Sequence, residues 1–137
     1  MDAREYSGPE IDMAEQVRNI RTNADLVVRS FKGITDFPFG YNERSVQWLD
    51  TYIEHIRTTE RSEDEFNQLV ANLGSFLGEA LIAAFGGTWS LDQRGLAVRW
   101  DELNRSYPFT KVAGHLKNGS VDSIYSFYAV TKALRHA

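Results

Sequence analysis

The chain contains no cysteine, which excludes a disulfide, a thiolate metal site and a thiol nucleophile together. Stability has to come from packing. Histidine is nearly as scarce: His55, His115 and His136 stand far apart without a convincing second ligand one helical turn away, so no metal site is expected. Residues 1–20 mix Asp2, Arg4, Glu5, Glu10, Asp12, Glu15 and Arg18 with few apolar positions, and no signal peptide can be read there. The expected location is the cytoplasm. The sequence also lacks an internal repeat, a low-complexity tract, a domain linker and any catalytic or cofactor motif. No cofactor is expected.

What is present suits one packed domain: 137 residues, 42% hydrophobic and 12% aromatic, a size that buries about two-thirds of the unfolded surface. The net charge of -4 hides an asymmetry, because residues 1–70 hold 8 Lys and Arg against 14 Asp and Glu, while residues 71–137 hold 7 against 5. Nucleic acid, which needs a basic face, is therefore disfavoured as a partner. A basic protein suits the acidic front half better.

The run Leu73 to Trp89 carries Gly74 and Gly78 four apart in apolar helical surroundings. Each glycine costs about 1 kcal/mol of helix propensity relative to alanine, so a close approach of a neighbouring helix is expected to compensate. That face packs within the monomer or, in the rival placement, forms a homodimer or partner surface. As a membrane span the run is poor, because Asn72 and Glu79 interrupt a segment short for a bilayer. Ser75 between the glycines lacks the spacing and the preceding strand of a nucleophile elbow and is read as structural.

Around this centre the patterns predict an α+β fold, mainly helical, with a flexible N-terminus over 1–8 and a single domain over 9–137. Ser7-Gly8-Pro9-Glu10 reads as a capping box opening a helix whose stripe is Met13, Val17, Ile20, Ala24, Val27 and Phe31, ended by Gly33. Phe37-Pro38-Phe39-Gly40 is a loop plugging the core edge, and Asn42 caps a helix with Val46, Leu49, Ile53 and Ile56 inward. Ser62-Glu63-Asp64-Glu65 is a second capping box, opening the long central helix that runs to Gly86-Gly87. A two-stranded β-hairpin follows, Thr88–Leu91 and Leu96–Trp100 around Asp92-Gln93-Arg94-Gly95. Two C-terminal helices close the chain, one from Pro108 to Asn118-Gly119 and one capped by Ser120.

The tail Pro108-Phe109-x-Lys111-Val112-x-x-x-Leu116-x-Asn118-Gly119-x-x-Asp122-Ser123-x-x-Ser126-Phe127-Tyr128, with Leu73-Gly-x-x-Leu-Gly-Glu79 and Gly86-Gly-x-Trp89 upstream, resembles small uncharacterised bacterial domains of unknown function. The likeness spans about residues 44 to 130. It implies a bacterial source and a single α+β module, and brings no catalytic residues with it.

Two functional expectations follow. The first is a non-catalytic protein-binding module, of the immunity or antitoxin type, that occludes a basic toxin domain. Its contact surface would be Glu60, Glu63, Asp64 and Glu65 with the first helix. The second is a small-molecule sensor or carrier with a pocket between central helix and hairpin, lined by Trp89, Trp100 and Tyr107 and polarised by Glu79 or Lys111. Glu79 has to find a donor, and Arg99, Lys111 or a backbone amide are the expected ones.

Overall fold

The computed structural model describes residues 12–135; the capping box at Ser7–Glu10, the segment 1–8 and His136 lie outside the described residues. Helix α1 (Met13–Lys32) is capped by Asp12, whose carboxylate accepts from the amides of Ala14 and Glu15. Ile20, Ala24 and Val27 of the expected stripe are buried. Gly33 ends this helix in ordinary right-handed backbone (φ -89°, ψ -7°), not in the left-handed turn a terminal glycine usually supplies.

Helix α2 (Glu43–Ile56) starts as expected, with the Asn42 side chain accepting from the Ser45 amide at 2.9 Å. Helix α3 (Glu63–Phe85) opens on the reciprocal Ser62–Glu65 box and closes at Gly86, whose φ of 76° explains why a glycine stands there. By length and composition alone α3 could cross a bilayer. Its apolar character is accounted for by packing, because Leu73 to Gly78, Ala80 and Leu81 are all buried. Phe76 at its middle stacks on Phe39 from the expected loop, ring centroids 5.2 Å apart.

Strands β1 (Thr88–Asp92) and β2 (Gly95–Arg99) pair antiparallel with Trp89 opposite Val98 and Leu91 opposite Leu96. The hairpin has a third, unexpected member: β3 (Arg105–Ser106) pairs with β2 and forms the sheet's far edge, Ser106 opposite Val98. The return is made by Asp101, whose carboxylate accepts from the amides of Leu103 and Asn104, while Trp100 N–H donates to Asn104 C=O. Two residues of Arg and Ser carry no alternation that a pattern could register.

Helix α4 (Pro108–Asn118) and helix α5 (Ile124–Arg135) are the two C-terminal helices, joined by a 3-10 turn over Gly119–Asp122. Ser120 does not cap α5. Ser123 does, its hydroxyl accepting from the Ser126 amide at 3.1 Å.

The glycine notches lie inside the monomer. A Cβ on Gly74 would sit 3.0 Å from Phe109 Cα, at the first turn of α4, and one on Gly78 would overlap the six-membered ring of Trp89. Gly78 therefore receives an indole rather than the expected helix backbone. The Trp89 and Phe109 rings lie 5.8 Å apart across this seam. With Ile20 and Val98 they make a second apolar cluster beside the main core, to which all five helices contribute.

Candidate functional site

Tyr107 precedes Pro108 at the start of α4 and supplies no side-chain cap; the first backbone bond is Lys111 N–H to Tyr107 C=O. The amides of Phe109 and Thr110 therefore have no acceptor among the described residues, and a helix N-terminus left in this state favours negative charge. Tyr107, Thr110, Lys111, Gly114 and Asn118 lie along one stripe of α4. On α5, Phe127, Thr131, Leu134 and Arg135 make a matching stripe.

Between the stripes and the β3 edge lie two hollows. The larger, about 460 Å³, is bordered by the α4 stripe with Arg105, Ser106, Asp122 and Phe127. The smaller, about 220 Å³, is bordered by Trp100, Leu103, Asn104 and the α5 residues Thr131, Leu134 and Arg135. Both share Arg105 and Ser106, so they read as one groove. Ser106 is only 9% exposed, and its hydroxyl, which solvent still reaches, has no protein partner among the described residues; the fully buried side-chain atoms left without one are Arg57 Nε, Ser90 Oγ and Arg99 Nε.

The charges on the groove are ordered by their neighbours. Arg105 reaches Asp92 at 3.0 Å and Tyr107 O–H donates to the same carboxylate at 2.7 Å; the phenol's bond, with the arginine's help, holds Asp92 below the usual carboxylate range and pushes the phenol up. Asp122 accepts from Asn118 at 2.7 Å and from Lys111 at 3.4 Å, and these two bonds hold it low as well. The Lys111 ammonium keeps donor protons to spare.

The expected pocket is thus only half assembled. Trp100, Tyr107 and Lys111 border the groove, Trp100 at the smaller hollow and the other two at the larger. Trp89 is consumed by the Gly78 notch and donates its indole N–H to Glu79 at 2.9 Å. Glu79 completes its bonding with Arg21 of α1 at 3.5 Å, correcting the expected Arg99 or Lys111. Arg99 pairs instead with Glu102 at 2.6 Å. The groove residues absent from the expectation, Arg105, Ser106, Thr110, Asn118, Asp122 and Phe127, left one legible signal: the polar stripe of α4.

The acidic turn divides too. Glu60, Glu63 and Asp64 are exposed and form no ion pair among the described residues. Glu65 is occupied, since its carboxylate accepts from the Ser62 amide at 2.9 Å, and that bond lowers its pKa. The first helix does not extend this acidic surface, because α1 carries Arg18, Arg21, Arg29 and Lys32 against Glu15 and Asp25.

A buried polar group went unread in the sequence. His115 is fully enclosed; Ile124 N–H donates to its Nδ1 at 3.3 Å, which places the ring proton on Nε2 facing Glu54 at 2.8 Å. Asp50, one turn before Glu54 on α2, accepts from the Ser123 hydroxyl and from the Tyr125 amide at 2.9 Å. These bonds fasten α2 to the start of α5. Among the described residues no three of His, Asp or Glu are grouped to hold a metal ion.

The chain matches no protein-family model, no curated protein and no solved structure. The functional reading therefore rests on the geometry above.

Proposed function

We propose that this chain is a non-catalytic binding module whose ligand lies in the groove between β3, α4 and α5. One observation carries the reading: the Ser106 hydroxyl, on a residue only 9% exposed, opens to solvent where the two hollows meet and has no protein partner among the described residues, which leaves it free to bond a ligand. Binding is favoured over catalysis by the commitments of the neighbours. Arg105 and Lys111 are paired, His115 is turned to Glu54, and the Ser106 and Thr110 hydroxyls have no base within hydrogen-bond distance among the described residues.

The test is thermal denaturation against a metabolite library. A ligand at a hundred times its Kd adds about 2.7 kcal/mol to stability. Thr110 lies exposed on the groove wall, so Thr110→Trp is expected to fill the larger hollow, leave the ligand-free melting point unchanged and abolish that stabilisation. Hits that still stabilise T110W would place the ligand elsewhere.

A second reading is favoured by the bare acidic turn: a basic partner protein, as an immunity- or antitoxin-type inhibitor of a bacterial toxin would meet, docking on Glu60, Glu63 and Asp64. Electrostatic steering raises association rates by about tenfold or more at low salt. Reversing these three to lysine, with Glu65 spared for its cap, is expected to remove that gain and flatten the salt dependence of binding to a toxin domain encoded beside this chain. An unchanged association rate rejects it.

A further inference from the structure

We infer that two copies of this chain join through the outer edge of β1, pairing antiparallel about Ser90 so that their two sheets become one of six strands. The inference does not depend on the groove, which lies at the other edge of the sheet.

The ladder decides which backbone groups are left over. Trp100 N–H donates to Asn104 C=O and Val98 stands opposite Ser106, so Val98 and Trp100 are the residues that bond toward β3. Alternation turns Ala97 and Arg99 toward β1, where they meet Ser90 and Thr88. Trp89 and Leu91 therefore point their N–H and C=O groups away from the sheet, and these groups take no hydrogen bond among the described residues. Such a row is a template for another strand unless lysine, proline or a bulge guards it. β1 reads Thr-Trp-Ser-Leu-Asp in unbroken register and has none of the three. The β3 edge offers two residues only.

The occupant follows from symmetry. Trp89 and Leu91 flank Ser90, so a two-fold axis at Ser90 sets Trp89 of each copy against Leu91 of the other, and four main-chain bonds form. Leu91, 41% exposed in the single chain, is covered by that pairing. Thr88 meets Asp92, so no like charges face each other, and Asp92 already holds Arg105 at 3.0 Å. On the axis the two Ser90 side chains come together, and Ser90 Oγ is one of the buried atoms that the single chain leaves without a partner. A foreign strand satisfies the backbone row equally well, but only one with a hydroxyl at a fixed place serves Ser90. The two-fold leaves both β3 edges, with their grooves, at the outer ends of the joined sheet.

Because the chain has no cysteine, a single introduced thiol reports the register. Across the axis the Ser90 Cα atoms stand about 4.5 Å apart, within disulfide reach, and the Thr88 Cα atoms about 14 Å apart, beyond it. Under mild oxidation of the full chain, Ser90→Cys should give a disulfide-linked dimer and Thr88→Cys should stay single. Sedimentation equilibrium of the parent from about 10 µM to 1 mM, the range suited to so small an interface, should show the mass rising from 15.6 kDa toward twice that value. Leu91→Pro removes an amide that faces outward, which an edge strand tolerates, and should weaken association by about thirtyfold through the loss of two bonds. Leu91→Lys keeps the amide, sets two ammonium groups near the axis and should weaken association too. A parent that stays at 15.6 kDa throughout, or Thr88→Cys linking as fast as Ser90→Cys, overturns the pairing. Association unchanged in both Leu91 variants moves the contact to another surface and overturns it as well. A single-chain parent whose Trp89 and Leu91 amides gain exchange protection only from an added alternating Thr-Val peptide gives the edge to a foreign strand instead.

Discussion

Gly78→Ala is expected to destabilise the fold by about 3 kcal/mol, which for a chain of this size lowers the melting point by about 10 °C. Helix propensity alone predicts the reverse, because alanine gains about 1 kcal/mol over glycine inside a helix. The opposing effect is overlap. A Cβ at this position coincides with the Trp89 ring, so the indole has to withdraw, giving up its contacts with Ile20 and Val98 and its hydrogen bond to Glu79. Glu79 is then left with a single exposed arginine at its mostly buried site.

Two controls isolate that cause. Gly33 has helical backbone, and a Cβ placed on it would meet no heavy atom within 4 Å, so Gly33→Ala is expected to stabilise by about 0.5–1 kcal/mol. The pair Gly78→Ala and Trp89→Leu should be no less stable than Trp89→Leu alone, since removing the ring removes the overlap. Thermal and urea denaturation of the four variants gives the answer. A G78A protein that melts higher than the parent would mean that the indole does not occupy the notch.

The helix ends explain which parts of the architecture were open to reading. Asn42, Ser62 with Glu65, and Gly86 act through atoms three or four residues away, so their pattern carries the whole interaction. The hairpin register is likewise local. What escaped depends on partners far along the chain. Ser120 and Ser123 are equivalent as sequence signals, and the choice between them is made by Asp50, 73 residues earlier, which takes the Ser123 hydroxyl. Glu79 finds Arg21 because α1 lies along α3, a placement no spacing rule contains.

The candidate site shows the same division. Tyr107 is legible as an aromatic beside the hairpin and Lys111 as a charge able to polarise a pocket there, and both border the groove. Trp89 was chosen for the same pocket because a large aromatic beside a hairpin suits a wall equally well. The neighbour that decides its role is Gly78: a bare helix face admits the ring, so the ring becomes core, and the groove lies at the opposite edge of the sheet.

His115→Ala is expected to cost about 3–4 kcal/mol, because two penalties combine. Truncating a large buried side chain to alanine leaves a void worth several kcal/mol if the walls cannot close. The Ile124 amide, which donates to the ring at a fully buried position, then has no acceptor, at about 1–3 kcal/mol. The loss should appear first where the bonds are made. Hydrogen exchange is expected to show α5 opening from its first turn while α1 and α3 stay protected. Glu54→Gln, which keeps an oxygen to accept from the ring nitrogen, should cost less than about 1 kcal/mol, in line with the partial exposure of Glu54. Asp50→Ala removes the acceptor for Ser123 and Tyr125 and acts on the same helix start, so it should combine with His115→Ala less than additively. Because α5 supplies one wall of the groove, a chain in which it has come loose should also lose the ligand; retention of binding in H115A with α5 unprotected would show that this wall is dispensable.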